Sequence, residues 1–408
     1  MQIKLNSLNK IVVFIYILVV FFILPTKYNF IADILFIIAG TGLILITWLS
    51  KTKSKQNINF KVLDLLQYLF VGLVFIFILI FSQYSKTYIT SNLFFLILLI
   101  YFFYRDNLKV KNGSEEWFYN FFYYLMCISL VVQIILSYKM NGSISLIIGW
   151  DKNYTGVILF LFFAFCYKRN KSFGILLSLI SAAFLDSRGF ILMIALFYSI
   201  LIFRSPIYNL LKTFIFKKMF RILTFLLIFI CAFSYFWVYS IASQGTVDYQ
   251  EGLNDGSNKM RFVANIKTFE LIKENKNIVF YGFDNDLKKE LGIESDNYSS
   301  HPRYLGARLV QTHNSILSII IKTGFMFSFI YLLILSKILD KYFVKENIEY
   351  IFPFLASSMI MHSLLNTSLL LFWVLILHLP QKGNFGLKIN FKPSLGNLKL
   401  NKVSWKTR

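Results

Sequence analysis

Three side chains in this sequence have the chemistry of a site and stand where a site could form. Arg188 occurs in Asp186-Ser187-Arg188-Gly189, Arg261 follows the turn-forming Asn254-Asp255-Gly256-Ser257, and His313 occurs in Gln311-Thr312-His313-Asn314. A guanidinium presents a rigid fork of donors that matches the oxygens of a phosphate. A histidine can take a proton near neutral pH, and Asn314 beside it could orient the ring or a hydroxyl. Ser187 and His362, the latter in Met361-His362-Ser363, are secondary candidates for orienting an acceptor. Each also has a plainer reading. Arg188 could end an apolar run and snorkel outward, Arg261 could be a solvated surface charge, and His313 an idle interfacial ring. No clustered Cys, His or Asp has metal-ligand spacing, so the expected site holds no metal and needs no cofactor. The three cysteines, Cys127, Cys166 and Cys231, fall inside apolar runs and form no disulfide framework.

The elements that must carry these residues are apolar. The chain is 57% hydrophobic and 19% aromatic, with only 15% charged residues. That composition belongs to a polytopic helical membrane protein rather than a soluble domain. Apolar runs fall near 11–24, 30–50, 62–82, 88–104, 117–137, 153–167, 172–185, 190–203, 222–242, 314–336, 349–364 and 367–380. The expected fold is all-α, with about twelve transmembrane helices and one large extracytoplasmic loop domain. Residues 1–243 hold nine spans, 244–313 the loop, 314–380 three spans, and 381–408 a basic tail. The loop has about seventy residues, too many for a mere connection.

Positive charge sets the orientation. The net charge of +22 could suggest a nucleic-acid partner, but the basic residues gather at the ends of apolar runs, so none is expected. Most of the 42 Lys and Arg lie in connections on the side of the N-terminus. Outside the loop, the other side has only Lys27, Lys86, Lys139, Lys152 and Arg188. Both termini are therefore expected in the cytoplasm and the loop outside it. Between spans eight and nine, Ile207 to Arg221 mixes Leu210, Leu211, Phe214 and Phe220 with four basic residues. It either lies flat on the cytoplasmic surface, held by anionic lipid, or is a linker carrying a topological charge cluster.

Spacing adds depth. The stretch from Asn170 to Phe203 must hold two crossings, yet two full spans would need about 40 residues plus a turn. The hairpin is short, and its tip at Ser187-Arg188-Gly189 should sit below the outer surface, where an arginine is costly and marks function by default. In the loop, Phe262, Ile266, Phe269 and Ile272 recur at helical spacing, which puts Arg261 in a first turn. A cation there gains nothing from the helix dipole, whereas a bound phosphate would explain it. His313 directly precedes the tenth span, in vertical register with the Arg188 hairpin.

The order of these features resembles the bacterial O-antigen ligase and O-antigen polymerase superfamily of membrane glycosyltransferases. The shared features are Ser187-Arg188-Gly189 between two spans, then a large outward loop beginning near an arginine. Glu270 to Asn277 leads to Tyr281-Gly282, and His313-Asn314 enters a span with Gly324. His362-Ser363 lies near the last hairpin. The resemblance is best from about 155 to 380; where many members carry a glycine-rich run, this chain has Gly282-Phe283-Asp284-Asn285, and Asn366 stands where an acidic residue is frequent. It implies transfer of a glycan from undecaprenyl pyrophosphate to an acceptor sugar hydroxyl at the outer face of the bacterial inner membrane. Arg188 and Arg261 would clamp the pyrophosphate and His313 would act as base. The implied partners are that lipid-linked glycan, an acceptor glycan, membrane lipids and a chain-length regulator. A polymerase extends onto a lipid-linked repeat unit; a ligase transfers to the lipid A core. The composition, rich in Lys, Asn, Ile and Phe, leans toward the polymerase. A lipid-linked sugar flippase would show internal repeats and a charged midplane cavity, and neither is visible.

Overall fold

A computed structural model of the chain describes residues 116–141, 152–185, 187–214, 342–360 and 367–379, with isolated positions at 15, 35, 38, 314–315, 328–329 and 335. Among the described residues all regular structure is helical. The helices are α1 (Glu116–Asn141), α2 (Lys152–Arg169), α3 (Ser172–Leu185), α4 (Arg188–Ile202), α5 (Arg204–Phe214), α6 (Ile348–Ile360) and α7 (Thr367–His378). The loop 244–313 and spans three, four and nine lie outside the described residues, as do spans one, two and ten apart from those isolated positions.

Helix α2 is the axis of the bundle. It is buried from Thr155 to Arg169, on every side of its circumference. A helix buried all round needs apolar residues all round, and Val157 to Phe165 supplies them without a polar break. Helices α3, α4, α6 and α7 all pack on it, while α1 packs on α3 and α6 on α4. Aromatic edges fill the contacts. Phe122 of α1 meets Phe165 at 5.2 Å and Phe372 of α7 at 5.5 Å, both edge-on. Phe197 of α4 sits among Phe163, Tyr167 and Tyr350, with centroids 5.3, 5.0 and 5.4 Å away. Edge-to-face pairs of this kind add about 0.5–1.5 kcal/mol each beyond area.

Small residues let the helices close up. A Cβ at Gly174 of α3 would strike the Cys166 sulfur and lie 2.7 Å from the Tyr123 ring. The turn after α2 is made by Asn170, whose φ of 61° is left-handed, and Lys171 N–H donates to the Cys166 carbonyl at 2.9 Å. Asparagine is among the few residues that take this conformation at a helix C-terminus. Helix α3 then starts at once, so α2 and α3 run antiparallel.

No described helix is by itself long and apolar enough to cross a membrane; α4 and α5 pass that test only as a pair bent by 81°. The reasons are local. Helices α3 and α4 have 14 and 15 residues, and α2 ends in Lys168 and Arg169. At 1.5 Å per residue, α3 and α4 fall short of the roughly 30 Å of a hydrocarbon core.

Candidate functional site

The segment Ser187-Arg188-Gly189 is a helix start. Ser187 is the N-cap of α4, with extended φ and ψ of −96° and 102°, and its Oγ accepts from Phe190 N–H at 3.3 Å. Arg188 is therefore the first residue of α4, at the positive end of the helix dipole. The first N–H groups of a helix favour an anion. The Ser187 side chain is buried, and Gly156 of α2 makes room for it. A Cβ added at Gly156 would collide with Ser187 Oγ, stand 3.2 Å from Ser187 Cβ and 3.5 Å from Phe190 Cβ. Thr155, beside Gly156, is fully buried as well. Gly156 thus sets how closely the start of α4 lies against the start of α2. Sequence reasoning missed Gly156, because a glycine one residue inside an apolar run says nothing of its neighbour across the bundle.

Asn314 and Ser315 are both buried, and Ser315 is helical. Arg261, His313 and His362 lie outside the described residues, as does the Arg188 side chain.

The opposite end of α2 holds a polar network that sequence reasoning treated only as topological charge. Lys168 is 1% exposed. Its Nζ donates to Asn347 Oδ1 at 2.6 Å, to the Ile376 carbonyl at 2.9 Å and to the Leu377 carbonyl at 3.2 Å. All three ammonium protons are used. Two of the acceptors belong to the last turn of α7, where the dipole is negative and carbonyls run short of helical donors; Ile376 O also accepts from Leu379 N–H at 3.1 Å. Lys168 therefore caps α7 from another helix. Asn347, just before α6, completes the knot: its Nδ2 donates to the Tyr342 carbonyl at 2.9 Å and the Leu377 carbonyl at 3.1 Å. The Lys168 ammonium also lies over the Tyr350 ring, 5.1 Å from its centroid.

Two ion pairs flank this knot. Arg169 pairs with Glu116 of α1 and lies over the Tyr119 ring at 4.9 Å. Arg204 of α5 pairs with Glu349 of α6, whose side chain is fully buried. His378 Nδ1 stands 3.3 Å from the Tyr342 hydroxyl. The network ties α1, α2, α5, α6 and α7 together at one end; Arg169 and Arg204 are paired with carboxylates, Lys168 bonds neutral oxygens, and Glu349 Oε2, Arg169 Nε and Arg204 Nε make no hydrogen bond among the described residues. Such an arrangement holds helices in place; it leaves Lys168 no proton or open side to offer a substrate. No family model, no curated protein and no solved structure matches this chain.

Proposed function

We propose that the chain is a polytopic inner-membrane glycosyltransferase that polymerises surface-polysaccharide repeat units, transferring a glycan from undecaprenyl pyrophosphate to an acceptor sugar hydroxyl. About twelve spans, cytoplasmic termini and an outward loop 244–313 belong to this reading. One observation carries its membrane part: the described bundle leaves large apolar side chains exposed and encloses charged and polar ones within a largely apolar core. Ile128, Ile135, Phe173, Leu176, Phe184 and Ile191 are exposed, while Lys168, Ser178, Ser181, Glu349 and Ser358 are buried. In water this distribution would be costly; in lipid it is the favourable one. Helices too short to cross alone would thin the bilayer locally or lie beside longer neighbours.

The contacts agree with the charge-based topology. Glu116 meets Arg169, Lys168 meets Asn347 and α7, and Arg204 meets Glu349. Each joins segments that the Lys/Arg count assigns to the cytoplasmic side. The contact of Gly156 with Ser187 joins two assigned to the outer side. Arg188 then starts a helix at the outer face, where an anionic lipid headgroup would arrive.

In this mechanism Arg188, with the N-terminus of α4, and Arg261 hold the pyrophosphate and stabilise the charge that develops as the glycosidic bond to phosphate breaks. His313 takes the proton of the attacking hydroxyl, and Asn314 orients it. Pyrophosphate leaves as the lipid-linked diphosphate. The same chemistry serves a ligase, which differs in its acceptor. A deletion strain separates the two. Loss of the polysaccharide ladder with one repeat left on the core is the expected result; complete loss, with lipid-linked polymer accumulating, would assign the ligase. An unchanged ladder would overturn both. A periplasmic reporter should be active when fused at Asp284 and silent at Lys212 or after Lys382.

A further inference from the structure

We infer that α5 is a membrane-surface helix that binds anionic phospholipid headgroups at right angles to α4. The inference rests on the membrane placement above and not on the glycan chemistry. Helix α4 ends at Phe203, whose N–H donates to the Ser199 carbonyl at 3.1 Å, and α5 leaves at 81°. Pro206 has no N–H, so it cannot continue the α4 ladder, but it sits without cost in the first turn of α5. The bend is fixed rather than loose. Arg204, the first residue of α5, is paired with the buried Glu349, and Tyr208, one turn on, stacks on Phe343 at 5.9 Å.

The faces of α5 are sharply divided. Ile207, Leu210, Leu211 and Phe214 recur at helical spacing, and Ser205, Asn209 and Lys212 occupy the other side. Arg204, Ile207, Tyr208 and Leu211 are half-buried. Leu210 is 64% exposed, and Ile202 and Phe203 at the elbow are exposed too. This apolar edge continues the exposed apolar strip of α4, so whatever covers that strip covers the edge as well. Charge then selects the lipid. From Ser187 to Val247 the sequence contains no Asp or Glu; Arg204 is already paired with Glu349, while Lys212 on the polar side of α5 and Lys217, Lys218 and Arg221 further along the sequence are basic. An amphipathic helix with a basic polar side lies in the interface with its apolar edge about 5–10 Å deep.

The test uses the full chain, with Cys127, Cys166 and Cys231 replaced by alanine, in nanodiscs of phosphatidylcholine alone or mixed with phosphatidylglycerol. A nitroxide is placed at Leu210→Cys or, as a polar-side reference, at Ser205→Cys; both positions are exposed, so neither label disturbs packing. Relaxation by oxygen against a water-soluble nickel chelate reads the depth of each. The 210 label should lie in the acyl boundary and the 205 label in water. Phosphatidylglycerol should draw the 210 label deeper, and Lys212→Glu should abolish that difference. A 210 label in water in both lipids would overturn the inference. So would one shielded from both relaxants, which would mean a protein partner covers the edge. Equal depth with and without phosphatidylglycerol would overturn the headgroup contact. No glycan enters the readout, so the result is independent of the proposed transfer reaction.

Discussion

The two ends of α2 solve opposite problems with opposite residues. At the Lys168 end the helices are joined by charge. Lys168 and Asn347 bond each other and the last carbonyls of α7, and the Arg169–Glu116 and Arg204–Glu349 pairs flank them. At the Ser187 end they are joined by the absence of bulk. Gly156 admits Ser187, and Ser187 caps the helix that begins with Arg188. The difference teaches where each kind of function can reside. A buried network bonded across five helices resists change and gives rigidity. A close-packed turn with helix N–H groups at its start can accept an anion from outside. Substitutions should therefore cost stability at the first end and activity at the second.

The largest effect is expected at Lys168. Lys168→Met removes the donor to Asn347 and to two α7 carbonyls; the Leu377 and Ile376 carbonyls keep Asn347 Nδ2 and Leu379 N–H, while Asn347 Oδ1 loses its partner. Leaving a buried acceptor without its donor costs about 1–3 kcal/mol, on top of the lost bonds to α7. Thermal unfolding of the purified chain in detergent should fall steeply, and an unchanged midpoint would mean that the knot holds nothing together. The Arg204–Glu349 pair should behave alike: in a cycle of Arg204→Met and Glu349→Gln, the double variant should be less damaged than the two single losses summed. Simple additivity would show the pair to be incidental.

The second effect separates the ends. Arg188→Lys retains the charge but not the bidentate fork, so activity should drop by an amount equal to a few kcal/mol of barrier, with the unfolding midpoint unchanged. Wild-type polymer from Arg188→Lys at normal expression would return this residue to a topological role.

Gly156→Ala comes next. Overpacking of this kind costs about 1–3 kcal/mol, and here the strain falls on the start of α4. Ser187→Gly opens the same space and, as an N-cap, costs only a few tenths of a kcal/mol. The pair Gly156→Ala with Ser187→Gly should therefore recover much of the polymer that Gly156→Ala loses. No recovery would show that the contact does not set the position of Arg188. Smallest is Ser187→Ala, which removes the cap alone, at about 1 kcal/mol.

Much of the helical framework was legible because its signals are local. The apolar run 172–185 coincides with α3, Ser172–Leu185, and the runs 117–137, 153–167 and 190–203 lie within a few residues of α1, α2 and α4. Chain punctuation such as Asn170 and Pro206 acts over one turn, so it can be read without knowing the fold. The stretch around Ile207 was legible as amphipathic; its 81° departure from α4 was not, since the angle is set by the pairing of Arg204 with a glutamate 145 residues away.

What the sequence by itself determined is composition, periodicity and the sign and position of charge: the helical character of the described residues, where those helices run to within a few residues, and Ser187-Arg188 placed between two apolar runs. Those follow from interactions between residues a few positions apart. The tertiary structure decided what the charges are for. Lys168 reads as one more basic residue at the end of an apolar run, and only packing brings it to Asn347 and Ile376, 179 and 208 positions away. Gly156 reads as a gap in an apolar run, and only packing makes it the seat of Ser187. A buried polar group must find its partners wherever the fold supplies them, and sequence distance does not enter that requirement.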